Sequence, residues 1–287
     1  MLQNYEVDWA YTCFSAIRNC PLLLMVVVQS AKAQRGTVTV YLTWRRFLCC
    51  SFFMARFARI VMPAASCHVT QRGNNQQDVF FVDNDRKVYL ELLQKAARQF
   101  GLTVHGYCLM TDHVHLVATP IREDSLAKAV GRTHLAYAQY VNRLHGRSGH
   151  LWQNRFYSCL LDEDHYWAAL RCVERNPVRA RLVRLPWRYP WSSAACHPGR
   201  GEPTGLLDVA KWRREISSKD WEEVLVAAED EEMVRLLRIR TQTGRPLASD
   251  SFMGKVETFL GRRVRLLPVG RQRGWRKVKE GKAAGRC

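Results

Sequence analysis

The stretch LMTDHVHLVATP, residues 109–120, sets His113 and His115 on either side of one apolar residue. Side chains two apart in a strand share a face. Val114, Leu116 and Ala118 then face a core, and the two imidazoles face the other way. Two neutral imidazoles side by side can share a divalent cation; they can equally be ordinary polar residues on the open face of a half-buried strand. A cation site needs a further ligand. EDHYWAALRCVERNP, residues 163–177, reads as a helix stopped by Pro177, with Cys172 and Asn176 four apart and on one face. If that helix lies over the open face of the strand, Asn176 offers its amide oxygen to an ion held by His113 and His115. Two nitrogens and one oxygen, with vacant positions, suit Mg²⁺ or Mn²⁺ acting on a phosphodiester. A nucleophile one turn back on the same helix would attack, and the residue there is Cys172. His68 and His105 read as structural.

The elements that must position these residues alternate in a recognisable order. SCHVTQRG (66–73) is a short strand running into a glycine turn. Residues 83–100 carry Val88, Leu92, Leu93, Ala96 and Phe100 at helical spacing, with Asp83 or Asn84 as cap and Gly101 as stop. LTVHGYCLM and DHVHLVATP form a hairpin. Residues 123–146 form a helix with Leu126, Val130, Tyr137, Tyr140 and Leu144 on one face. RFYSCLLD is a strand, and the 163–176 helix follows. The first six elements match the split βαβ arrangement, so the expected class is α+β: a ferredoxin-like antiparallel sheet with helices packed on one face. After residue 200 the chain turns charged and helical over 211–241. A turn, a capped helix and a glycine stop follow in TGRPLASDSFMGKVETFLGRR.

The 287 residues carry a formal net charge of +18, which favours polyanionic partners, nucleic acid first. The ten cysteines include no C-x-x-C pair and sit at irregular spacing, as expected of reduced thiols in a cytoplasmic protein and not of a disulfide framework or zinc site. Residues 1–53 contain an apolar run of about eight residues, too short for the roughly 20 a membrane span takes. With Glu6 and Asp8 ahead of it and a second start at Met54, 1–53 reads as an upstream extension with little independent structure. No membrane partner is expected. Residues 261–287 hold ten Arg or Lys against one Glu280 and read as a basic disordered tail, with Arg262, Arg263, Arg265, Arg271 and Arg273 available to phosphates. Arg72, Asn74 and Asn75 follow the first strand and either contact a DNA backbone or are solvated. His150, Trp152, Gln153, Asn154 and Arg155 mix basic, amide and aromatic groups as unpaired bases require, though Trp152 suits a core equally well.

Four motifs in order, CHVTQRGNN, YCLMTDHVHLVATP, GHLWQNRFYS and LRCVERNPVRARLV, followed by YPWSSA, resemble the IS200-like single-tyrosine transposases, and within them the REP-associated tyrosine transposases. The resemblance covers about residues 55–195. It implies a domain of the HUH endonuclease type at 54–195; the charge and helical pattern beyond it read as a helical accessory region at 196–260 and the tail at 261–287. It implies metal-dependent cutting and rejoining of single-stranded DNA, usually at a hairpin, through a 5′-phosphotyrosine. The expected location is the cytoplasm, at the nucleoid, and the sequence leaves monomer or homodimer open. On the family's pattern His113, His115 and Asn176 are the metal ligands, with Mg²⁺ or Mn²⁺ as cofactor. The nucleophilic tyrosine belongs where Cys172 stands. Two readings follow: an enzyme of DNA transposition, impaired at its nucleophile, or a domesticated relative that binds palindromic hairpins without cutting. A transcription regulator acting through the basic tail is a third, and it leaves the histidine pair unexplained.

Overall fold

The computed structural model describes residues 58–201 and 205–265. The expectation of an unstructured extension at 1–53 and the phosphate contacts of Arg271 and Arg273 lie outside the described residues. Four strands, β1 (Cys67–Arg72), β2 (Leu102–Leu109), β3 (His113–Pro120) and β4 (Tyr157–Leu160), form one antiparallel sheet in the order β2-β3-β1-β4. With α1 (Asp83–Phe100) between β1 and β2, and α2 (Ser125–Leu144) between β3 and β4, this is the ferredoxin-like α+β arrangement.

Alternation along β3 decides what each face holds. Val114, Leu116 and Ala118 are fully buried against α1 and α2, in a core with Val69, Leu93, Leu126, Val130 and Tyr137. Val117, on the opposite face, packs with Cys159, Tyr166, Ala169, Leu170 and Val173. The last four come largely from α3 (Glu163–Glu174), so helices cover both faces of the sheet and not one. Close approach of α3 is possible because Gly106 lies on β2 beneath it; a Cβ there would come 2.3 Å from Leu170 Cδ1.

Two helix ends differ from expectation. The cap residue of α1 is Val82, because the Asp85 carboxylate reaches back to the amides of Phe81 and Val82 at 2.8 and 3.0 Å. Gly101 ends α1 in the left-handed conformation at φ 69°, as its position after the last apolar residue suggested. On α2, Leu144 is exposed, since the helix has drifted off the core by its last turn. The helix carrying Cys172 stops at Glu174, and Asn176 opens a separate turn, α4 (Asn176–Arg179). Pro177 therefore starts a turn as well as stopping a helix, which its missing N–H permits.

The C-terminal helices are α5 (Ala210–Glu215), α6 (Ser218–Val226), α7 (Glu231–Thr243) and α8 (Asp250–Leu260). Trp221, Leu225 and Leu237 join the same apolar cluster as α3, on the face of the sheet that carries His113 and His115. Leu247 bridges to Leu161 beside β4, donating its N–H to Leu160 O at 2.8 Å. The expected tail begins as folded chain: Val264 is buried, and Arg265 pairs with Glu257 and Asp250.

His134 on α2 lies buried among Tyr89, Trp152 and Phe156, with Tyr89 Oη 3.0 Å from its Nε2. Burial, helped by the charge of Arg59, pushes this imidazole down to about 3. In the unfolded chain it titrates near 6.5. The unfolded state therefore takes up the proton first, and stability present above pH 6.5 is lost as pH falls towards the folded value. The expected loss from this group is about 1.4 kcal/mol per pH unit below 6.5. Urea unfolding at pH 7.5 and pH 5 checks it: the parent should lose more stability over that interval than His134→Gln, and equal losses would refute the assignment.

Candidate metal centre and nucleic-acid interface

His113 and His115 stand on one face of β3 with ring centroids 5.0 Å apart and planes at 83°. Each ring is held from behind through Nδ1. His113 Nδ1–H donates to Asp112 Oδ1 at 2.5 Å, and that hydrogen bond holds the Asp112 carboxyl below its usual range, aided by the charges of His113 and Arg72. His115 Nδ1 lies 3.1 Å from His68 Nε2, the two rings stacked at 5.3 Å. Desolvation, with His113, His68, Arg179 and Arg238 nearby, pushes His115 well below the normal imidazole range; burial takes His68 down to about 3. Both rings are neutral at pH 7, the form in which imidazole binds a metal.

Asn176 arrives from the other side of the chain. Its Nδ2–H₂ donates to His113 Nε2 at 3.3 Å, while its Oδ1 accepts from Arg179 Nη2 at 3.3 Å. The three residues named from the sequence are thus together, 63 positions apart in the chain at their nearest link. Their chemistry fits a divalent ion: the Nδ1 partner of His113 leaves its Nε2 with a lone pair, and a turn of the Asn176 amide would offer the oxygen. Among the described residues no group of three His, Cys, Asp or Glu side chains could hold a metal, so an ion here needs the amide.

Cys172 lies one turn before Asn176. It lines an apolar cavity of about 280 Å³ with Trp167, Trp221, Val224 and Met233, between α3, α6 and α7. Burial raises its thiol above the usual value; Arg179 beside it pulls the other way and loses. A protonated thiol is a weak nucleophile. Arg179 also donates to Cys172 O at 3.2 Å, closing the carbonyl end of α3, and pairs with Glu229 at 2.6 Å.

The residues expected to meet DNA divide into two groups. Arg72, opposite His113 in the β1–β3 register, is exposed and 3.3 Å from Asp112. Asn75 is exposed in a one-turn helix at φ 51°, and Asn74 beside it is half-buried. His150, Gln153, Asn154 and Arg155 are exposed, and Gln153 N–H donates to Arg72 O at 3.0 Å, which brings that loop alongside β1. Trp152 is a correction: it is buried against His134, Tyr89 and Tyr137, with Nε1–H donating to His134 O at 3.0 Å, and presents no ring to a base. Arg263 is exposed, Arg262 donates to Ala58 O, and Arg265 is held by Glu257 and Asp250. Sequence reasoning missed His68, Thr241 and Arg179. The signal for His68 was its place in CHVTQR, where alternation puts it on the face of Thr70 and Arg72, but the pairing of β1 with β3 was needed to bring it to His115.

No curated protein matches the chain. Among solved structures, a REP-associated tyrosine transposase bound to a REP hairpin is 14% identical, covering 53% of this chain and 90% of that one, with a TM-score of 0.45. A candidate transposase from Deinococcus radiodurans is 17% identical, covering 44% of this chain and 91% of the other, with a TM-score of 0.30. No helix among the described residues is long and apolar enough to cross a membrane. The family model "Transposase IS200 like" matches residues 62–175, the span that runs from the approach to β1 through His113, His115 and Cys172.

Proposed function

We propose that the chain binds single-stranded or hairpin DNA at a divalent metal site made by His113, His115 and Asn176, and that the strand-cutting step of DNA transposition is impaired because Cys172 stands where the nucleophilic tyrosine is expected. The observation that carries this reading is the Asn176–His113 hydrogen bond, which joins the end of the helical segment to the β3 pair. Mg²⁺ or Mn²⁺ bound there would polarise a phosphodiester and offset the charge that develops on its oxygens. His113 and His115 would hold the ion through Nε2, and Asp112 keeps the His113 ring in the donor tautomer that leaves that nitrogen bare. Arg72, Asn75, Gln153, Asn154 and Arg155 would grip the backbone beside it, with the basic residues beyond 265 adding phosphate contacts. The thiol of half-buried Cys172, which desolvation holds protonated above its usual range, favours the reading in which hairpins are bound and not cut.

His113→Ala and His115→Ala should each weaken Mn²⁺ binding by about tenfold or more. Calorimetry on the metal-free protein measures this, and parental affinity in both variants would refute the site. Incubation with a single-stranded hairpin and Mn²⁺, scored on a denaturing gel, tests the impaired step: the expected result is retained binding and no covalent adduct.

A further inference from the structure

The sequence of hydrogen bonds behind His115 runs further than one ring. Thr241, on α7, donates its hydroxyl proton to Leu237 O at 2.7 Å, the carbonyl one turn back. Its oxygen is then free only to accept. His68 Nδ1 lies 2.8 Å from that oxygen, so His68 carries its proton on Nδ1. The lone pair of His68 is consequently on Nε2, which is 3.1 Å from His115 Nδ1. His115 must donate from Nδ1, and its Nε2 is left with the lone pair. Each link fixes the next, and the direction is set by the Thr241 hydroxyl, which is committed to Leu237 O and so can only accept from His68.

We propose that Thr241 and His68 are positioning residues that set the tautomer of His115, so that the accessory helix α7 completes the metal site without touching the metal. The inference rests on the metal reading above, and it deepens that reading. Partners of this kind orient a ligand ring and raise its basicity, and losing one typically weakens metal affinity by about 10–100-fold. The site thereby acquires two supports of different origin: Asp112, next to its histidine in sequence, for His113, and α7 for His115.

Substitution of Thr241 separates the hydroxyl from the packing. Thr241→Val keeps the shape and removes the acceptor, so His68 can place its proton on Nε2 and drive His115 to the wrong tautomer. Thr241→Ser keeps the acceptor. The full chain is labelled with ¹⁵N-histidine, and imidazole nitrogen spectra are recorded without metal at pH 7.5, followed by calorimetric titration with Mn²⁺. In the parent and in Thr241→Ser, both His68 and His115 should show protonated Nδ1 and bare Nε2. In Thr241→Val, a protonated Nε2 should appear on both rings, and Mn²⁺ affinity should fall by about tenfold or more. A protonated Nε2 on His115 in the parent overturns the inference, as does unchanged Mn²⁺ affinity in Thr241→Val. If the parent binds no Mn²⁺ at all, the metal reading fails by itself, and the spectra alone judge the relay: bare Nε2 on both parental rings that Thr241→Val abolishes upholds it, and any other pattern overturns it.

Discussion

Cys172→Tyr should turn a chain that leaves no covalent mark on DNA into one that does. The phenol oxygen would form a bond to the phosphorus at the cut, the bond from phosphorus to the 3′ oxygen would break, and the leaving 3′ oxygen would take up a proton. The strand end is then held as a 5′-phosphotyrosine whose bond energy is kept for rejoining. Cysteine offers no such route here, since burial keeps its thiol protonated. Loss of a nucleophile can cost on the order of 10⁶ in kcat, so a gain of about 10³-fold in adduct formation is a conservative expectation. The cavity of about 280 Å³ beside Cys172 gives a ring room, and the variant should cost less than the 1–3 kcal/mol typical of an overpacked core. A denaturing gel with labelled hairpin and Mn²⁺ measures the adduct, and Cys172→Tyr combined with His113→Ala should lose it. A variant that folds, binds DNA and Mn²⁺, and never forms an adduct would mean that the ring seats among Trp221, Val224 and Met233 instead of towards His113, and the assignment of position 172 would fall.

The second large effect concerns stability. Glu174, at the end of α3, is fully buried and accepts three hydrogen bonds: from Ser193 Oγ at 2.5 Å, His197 Nδ1 at 2.5 Å and Trp221 Nε1 at 2.9 Å. These donors come from the segment after α4 and from α6, so one carboxylate pins both to the helix that bears Cys172. Glu174→Leu removes the acceptor and strands three buried donors. Breaking a buried charged cluster from one side costs about 3–5 kcal/mol, which for a chain of this size lowers the melting midpoint by roughly 10 °C. Trp221 fluorescence should shift to the red as α6 loosens. Glu222→Gln, which breaks only the exposed pair with Arg200, should leave the midpoint unmoved. Equal midpoints for Glu174→Leu and the parent would show that the cluster holds nothing.

Legibility of the fold followed the range of the interactions. Val114, Leu116 and Ala118 were separable from His113 and His115 because the period of a strand is local, and Gly101 was readable as a stop because a left-handed cap is local too. The start of α1 was misplaced by a residue or two because Asp85 caps it from inside the helix, where a carboxylate looks like any polar residue of the first turn. Trp152, in a loop rich in amides and polar groups, suited a base or a core equally well. The bridge between Gly73 and Trp152 and the bond from Trp152 Nε1–H to His134 O turn that ring inward, and nothing adjacent in sequence announces either. For the C-terminal helices the charge pattern told that they exist and not which face of the sheet they cover. His68 and Thr241 stayed hidden for that reason, since each becomes informative only beside the other.

Those two residues are 173 positions apart. A ribosome makes the chain from its N-terminal end, and domains form in that order as they emerge. The strands that carry His68, His113 and His115 are complete by residue 160, well before α7 is made. Over that interval the three rings are already in the chain, yet nothing directs the proton on His115. The last quarter of synthesis therefore does more than lengthen the molecule: a chain released early would lack Thr241, and with it the setting of one ligand ring.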